Sequence, residues 1–319
     1  MSSPFVLVTG ADGFVGAELV GCLRSAGIQV KEVVRRCVPG ENLGRTAIGD
    51  LGTFSHWHPL LEGIDTVIHL AGLAHDQAGL VTEDDYERVN VAATATLAQA
   101  CRKSGVRHFV FVSTLKVLGE SSGDAAFSAD SPLKPCDDYS RSKARAEQAL
   151  ARVLRDGPTR LSIVRPPLVY GPGVKANFLR MMDAVYHGLP LPLGRVRNRR
   201  SLVSIWNLSD LLLTLVRHPD PEDAAWLVSD GEDLATPELL ERLGKAVGRR
   251  ARLLPMPTAV LSGVATLMGK RGEAQRLLSS LTVDMVATRE RLSWQPPISV
   301  DESLRRTAEW YLAARRSER

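Results

Sequence analysis

Aromatic residues supply only 5% of this 319-residue chain, cysteine occurs four times, and neither acid nor base gathers into a block. Each shortage excludes something. Cys22, Cys37, Cys101 and Cys136 lie 15, 64 and 35 positions apart, so there is no CxxC pair and no close-spaced metal framework. Thiols kept free in a reducing compartment are the expectation. His56 and His58 flank Trp57 without a third ligand nearby, and no metal site is expected. The longest apolar stretches, such as Ala259 to Met268, fall short of the roughly 20 residues that cross a bilayer, so no membrane span is predicted. Met1-Ser2-Ser3-Pro4 enters an apolar strand without a basic leader, which predicts no export signal and a cytoplasmic protein. Forty Lys and Arg against 36 Asp and Glu leave a net charge of +4, an excess that favours small anionic ligands over nucleic acid.

What is present is a core. With 44% hydrophobic and 24% charged residues the chain is globular, and its length suits two connected lobes. Phe5 to Val8 is a short apolar run ended by glycine, as for a parallel strand covered on both faces. Phe14 to Ser25 has helical spacing and closes at Ala26-Gly27. Strands follow at Val30 to Val34, Thr66 to Leu70, His108 to Val112 and Leu161 to Val164, with helices at about Asn90 to Ser104 and Asp138 to Leu154. This alternation predicts an α/β fold, a Rossmann-like doubly wound parallel sheet, with a smaller C-terminal substrate-binding α/β lobe. Residues 1–170 are assigned to the dinucleotide lobe and 171–319 mainly to the substrate lobe, with segments near 200–230 returning to the first. In the second half, Thr236 is read as an N-cap before Pro237, and Ser299 with Glu302 as a capping box for a last helix ending near Ala314.

The first strand runs into Gly10-Ala11-Asp12-Gly13-Phe14-Val15-Gly16. Glycines at this spacing let backbone turn sharply and approach a pyrophosphate, and the helix that follows offers free N–H groups. After the second strand stand Arg35 and Arg36, where an acid would accept from an adenosine ribose. Guanidinium groups there favour a 2′-phosphate, so NADP(H) is expected over NAD(H), the alternative. Asp50-Leu51 follows a third short strand, and Asp50 is placed to accept from the adenine amino group.

Tyr139 and Lys143 are four apart at a helix start and so share a face. An ammonium beside the phenol would lower its pKa and make it a usable proton donor near neutrality. Ser113-Thr114 ends a sheet strand at the edge where ligands of open α/β sheets bind.

TGADGFVG, the His69 to Gly72 string HLAG, Asn90-Val91, Ser113-Thr114, YSRSK and the run from Arg165 to Gly171 together resemble the extended short-chain dehydrogenase/reductase family of nucleotide-sugar epimerases, dehydratases and ketoreductases. The similarity spans nearly the whole chain, and the segment from Arg291 to Pro296 resembles the family's C-terminal motif. The resemblance implies a triad of Thr114, Tyr139 and Lys143. It places Leu70, Ala71, Gly72, Asn90, Ser113 and Pro166 beside the dinucleotide, with Ser113 also near the substrate. It maps diphosphate recognition onto Asn177 and Arg200, with Arg199 as the neighbouring candidate, and offers Arg276 as a further contact. Family dehydratases carry an Asp-Glu pair after the triad hydroxyl; Leu115 and Lys116 stand there instead, so elimination lacks its acid and base.

Lys116, in the place of that acid, is expected to face the sugar or to be a surface lysine. Of the cluster Arg195, Arg197, Arg199 and Arg200, diphosphate binding is preferred over a solvated loop; no aromatics are interleaved to stack nucleic-acid bases. The expected activity is NADP(H)-dependent reduction of the C4 ketone of a UDP-4-keto-6-deoxy-hexose or hexosamine in O-antigen biosynthesis. The alternative is a UDP-hexose 4-epimerase retaining NAD, and a remote one a silent dinucleotide sensor. A homodimer built on the helices near 90–104 and 138–154 is a further expectation.

Overall fold

The computed structural model describes residues 4–37, 44–74, 80–267 and 277–317. Its frame is a parallel sheet of seven strands: β1 (Phe5–Thr9), β2 (Gln29–Val34), β3 (Arg45–Ala47), β4 (Thr66–His69), β5 (His108–Val112), β6 (Arg160–Arg165) and, much later, β10 (Ala224–Leu227). Spatially they run β3-β2-β1-β4-β5-β6-β10. The order reverses between β1 and β4, and in such sheets the crevice above that point takes the ligand. Val6, Leu7 and Val8 are fully buried, because helices cover both faces of β1.

On one face α1 (Phe14–Ser25) packs against α7 (Ile205–Arg217), around Leu19, Leu23, Leu208 and Leu212. On the other, after the short α2 (His58–Leu61) and α3 (Glu83–Tyr86), α4 (Ala93–Lys103) packs against α5 (Asp138–Leu154) around Leu97, Cys101 and Leu150. The second lobe holds α6 (Ala176–Tyr186), α8 (Thr236–Ala246), a three-stranded sheet of β7 (Leu168–Tyr170), β9 (Arg200–Ser204) and β11 (Asp233–Leu234), and the pair β8 (Pro190–Leu191) and β12 (Arg252–Leu253). Tyr170, Phe178 and Leu240 lie at its centre.

Two helix ends have been reached by different chemistry from that expected. Ala235, not Thr236, is the N-cap of α8, because the Thr236 hydroxyl donates instead to the Leu277 carbonyl (3.1 Å) and accepts from Asn198 (2.9 Å). At the helix Val300–Ser317, Ser299 accepts from Glu302 N (3.3 Å), but the Glu302 carboxylate turns to Arg305 and Arg306, so the reciprocal bond of a capping box is missing. That helix also continues past Ala314 to Ser317. The helix expected from Asn90 begins earlier: Thr82 and Asp85 form a full capping box, and Glu87–Ala92 is a π-helical turn before α4. No helix among the described residues is long and apolar enough to cross a membrane.

Candidate active site

The turn after β1 needs its glycines. Gly10 has φ +67°, and a Cβ there would lie 3.0 Å from Ala71 N; a Cβ on Gly16 would lie 2.1 Å from the Gly10 carbonyl oxygen. Loop, β4 and α1 therefore close together only without side chains. Gly13 caps α1 without any side-chain hydrogen bond. Above this turn opens a cleft of about 490 Å³, lined by Gly10, Asp12, Gly13, Leu70, Ala71 and Gly72, and at its far end by Arg35, Asp50 and Leu51. Backbone amides at a helix N-terminus with guanidinium groups at the other end fit a dinucleotide. Phe14, Val15 and Gly16 belong to the helix below: Phe14 packs into the second lobe's core, and Val15 into the first.

The arginines separate. Arg35 lines the cleft, whereas Arg36 is exposed outside its lining. Asp50 is occupied: one oxygen caps Gly52 N (2.9 Å) and the other takes Arg88 Nη1 (2.7 Å). These bonds, the backbone amide first and then Arg88, hold its carboxyl below the usual range. Arg88 itself lines the cleft beside Asp85 and went unpredicted, because 38 positions separate it from Asp50.

Asn90 sits on the π-turn and is buried. Its Oδ1 accepts from Leu73 N (2.8 Å), while Nδ2 donates to the Leu73 carbonyl (3.1 Å) and Ser142 Oγ (3.0 Å). One amide thus ties the loop after β4 to α5. Gly72 is obligatory beneath it, since a Cβ there would approach Asn90 Oδ1 to 2.8 Å. His69 is the packed histidine expected, bonded to Thr9 Oγ1 (2.7 Å) and Thr94 Oγ1 (2.9 Å); burial, then Lys143, push it down to about 3.

At the end of β5, Ser113 is 4% exposed and its hydroxyl finds no partner among the described residues. Pro166 is buried, and its carbonyl accepts from Leu115 N (2.8 Å). Thr114 opens the adjoining turn and lines a second cleft of about 260 Å³. α5 begins behind it on a capping box of Asp137 and Ser140, which places Tyr139 in the first turn and Lys143 one turn on. Lys143 is buried; its ammonium donates to the Val112 carbonyl (2.7 Å) and lies 4.0 Å from the centre of the Phe111 ring.

The expected effect of Lys143 on Tyr139 is not what the structure gives. Burial, with help from Asp137 and Tyr86, raises the phenol to about 12, and burial lowers Lys143 to about 7 against the weaker pull of Glu147. A half-neutral amine engaged with a carbonyl does little to ionise a phenol.

Lys116 also lines the second cleft, but its charge is spent locally: Nζ is 2.5 Å from Asp137 Oδ2 and 4.0 Å from Glu120 Oε1. Burial opposes ionisation of Asp137, yet Lys116 and Ser140 overcome it and hold that carboxyl far below its ordinary value. Asn177 and Arg200 line the same cleft. Arg199 does not: its side chain is 72% exposed and points to Asp233 (3.8 Å), and Arg195 and Arg197 are likewise exposed. One arginine of the cluster faces the cleft and three face solvent. Arg276 lies outside the described residues. Glu120 and Thr236 line the cleft too, and the rest is apolar, with Leu168, Met181, Leu202, Leu239 and Leu281 among it, a wall the sequence spacing did not reveal. Among the described residues no group of His, Cys, Asp and Glu is placed to hold a metal.

A model of the NAD dependent epimerase/dehydratase family matches residues 6–228. A UDP-glucose 4-epimerase of Vibrio cholerae is 38% identical over 314 residues, covering 97% of this chain and 96% of that protein. Two solved structures, of MoeE5 in complex with UDP-glucose and NAD and with UDP-glucuronic acid and NAD, superpose with a TM-score of 0.77 for each. They are 27% and 26% identical to this chain, cover 98% and 97% of it, and are themselves covered over 99% of their length.

Proposed function

The chain belongs to the NAD dependent epimerase/dehydratase family, and on that footing we propose that it is an oxidoreductase working at C4 of a UDP-sugar, reducing a UDP-4-keto-6-deoxyhexose or hexosamine with NADPH. The observation that carries this is a pair of clefts, one above the β1–α1 turn and one at the segment that follows β5. One has glycine backbone at one end and Arg35 with Arg88 at the other; the second has Thr114, Asn177 and Arg200.

The bound dinucleotide supplies the hydride that the ketone carbon takes up. Gly10, Gly13 and the first turn of α1 would hold its pyrophosphate, Arg35 its 2′-phosphate, and Lys143 its ribose hydroxyls. Ser113, buried with its hydroxyl unpaired among the described residues, has a donor to offer whichever ligand lies there. Tyr139, raised to about 12, keeps its proton at neutral pH and donates it to the oxygen on which charge develops. The Thr114 hydroxyl steadies that oxygen. Arg200 and Asn177 would take the diphosphate of the substrate, a bidentate guanidinium being suited to it. Leu168 and Met181 suit the methyl of a 6-deoxy sugar. Leu115 and Lys116, where elimination would require an acid and a base, argue against dehydration. A cytoplasmic homodimer joined through α4 and α5, and a product destined for O-antigen, complete this reading.

The relative in Vibrio cholerae favours a second reading, UDP-hexose 4-epimerisation with retained NAD. Incubation of the purified protein with a UDP-4-ketosugar and NADPH separates the two. Consumption of one NADPH per ketone is expected; interconversion of UDP-galactose and UDP-glucose without added cofactor, and no ketone reduction, would establish the epimerase instead.

A further inference from the structure

The second lobe presents a surface that chemistry at the two clefts leaves unused. Residues 253–269 contain no charged side chain over 17 positions. At their centre is α9 (Thr258–Leu267), whose described large apolar side chains are poorly covered: Val260 is 48% and Leu267 90% exposed, and Leu261 is half-buried. Leu254 and Leu189 are exposed large apolar residues of the same region. They are neighbours because β8 pairs with β12 and Gly194 N donates to the Leu254 carbonyl (3.0 Å). An apolar helix in this position gains nothing from water.

Charge lies at the N-terminal edge of this apolar stretch, beside Leu253 and Leu254. Arg195, Arg197, Arg249, Arg250 and Arg252 are all exposed, and none of the five forms an ion pair among the described residues. Segments 184–209 and 242–272 together contain eleven of the forty Lys and Arg and none of the 36 Asp and Glu. A groove beside α8 and β12 is lined by Lys245, Arg249, Arg250 and Arg252 with Glu241 as the carboxylate among them. The chain as a whole carries only +4, so the five arginines named above are a local excess of positive charge; Arg200, in the second cleft, and Arg242, paired with Glu232 and Glu238, are not part of it.

We propose that α9 and its arginine rim form a reversible docking surface for an anionic lipid bilayer, with the helix lying in the headgroup layer rather than crossing it. A helix of ten residues is about 15 Å long, enough to lie along the interface and too short to span it. Basic residues around an apolar strip are what such binding requires: lipid phosphate draws the arginines, and Val260, Leu267 and Leu254 enter the acyl boundary. Charge also decides against a second copy of the chain as the occupant. A two-fold contact would set this patch against itself and bring arginine onto arginine. A nucleic acid would use the rim but leave the apolar helix in water.

The surface lies outside both clefts, so its test does not depend on the substrate. The full-length protein is sedimented with vesicles of phosphatidylcholine and with vesicles of phosphatidylcholine and phosphatidylglycerol in equal parts. Binding about ten-fold tighter to the anionic vesicles, weakened by salt, is expected. The double variant Val260→Asp/Leu267→Asp should lose vesicle binding while keeping its unfolding temperature and its turnover in solution, because both side chains are exposed. Arg249→Glu/Arg250→Glu/Arg252→Glu should lose the preference for anionic vesicles. Equal affinity of the unmodified protein for the two vesicle types, or affinity for neither, overturns the proposal. So does a concentration-dependent dimer that Val260→Asp/Leu267→Asp disperses, which would give the face to a second copy.

Discussion

Lys143 lies between two demands, a charged amine wanted for catalysis and a buried position that resists the charge. In the free protein burial brings it to about 7, so the ammonium is lost as pH rises through neutrality. If reduction uses the ammonium form, kcat/KM for the ketone should fall about ten-fold per pH unit above that point, since this ratio reports groups of the free enzyme. Lys143→Met should abolish the descending limb and leave a low, flat profile. Tyr139→Phe removes the proton donor without touching the glycine turn, and turnover should drop by about 10²–10⁴-fold with dinucleotide affinity retained, as read by fluorescence titration. The two adjacent arginines divide just as sharply: Arg200→Met should raise KM for the nucleotide sugar, whereas Arg199→Met, on a solvent-facing side chain, should leave it unchanged. The family resemblance points to Arg200 but leaves Arg199, one position away, as a candidate. Which of them faces the cleft depends on how β9 sits against its neighbours, with Ser201 N donating to Leu281 and Arg200 facing Leu234, and both partners come from distant parts of the chain.

Among elements, α5 carries most of the proposed chemistry and is anchored at its start and at its middle. Its start is fixed by Asp137 and Ser140, and farther along Glu147 forms a two-point ion pair with Arg165 of β6, at 3.2 and 2.8 Å, in the protein interior. Arg165 also donates to the Ala129 carbonyl (2.9 Å), so it is a structural brace rather than a ligand contact. Glu147→Ala leaves a buried guanidinium without its counter-ion and should cost about 3–5 kcal/mol in denaturant unfolding. The spans of α1 and α5 were legible in sequence because local chemistry marks their ends: Gly13 and Ala26-Gly27 for one, the residues around Asp138 for the other. The π-turn holding Asn90 was not, because it answers to the loop at Leu73 and to Ser142, partners 17 and 52 positions away. Thr236 misled for the same reason. Its hydroxyl has the right type and place for a cap, but Asn198 and Leu277 claim it first.

At the level of the whole molecule, two buried histidines make the fold weaker in acid. His69 and His108 are both held near 3, chiefly by burial, against an ordinary value of 6.5. His108 shares a hydrogen bond with Ser162 (2.9 Å) across β5 and β6. Between pH 6.5 and about 3 the unfolded chain binds the protons that the folded chain refuses, so the histidines' share of the stability is complete above pH 6.5 and lost as pH falls. Each histidine should contribute a slope of about 1.4 kcal/mol per pH unit. Urea midpoints at pH 7 and pH 5 should differ accordingly, and His108→Gln should reduce the difference even if it lowers both values.

The sheet is completed late. β10 covers the outer edge of β6, and α7 covers α1, yet both come after the chain has already built β7, α6 and β9 of the other lobe. A nascent polypeptide emerging from the ribosome must therefore carry a bare strand edge and an uncovered apolar helix flank until residue 227 is free, and that interval is when a holding chaperone would find it.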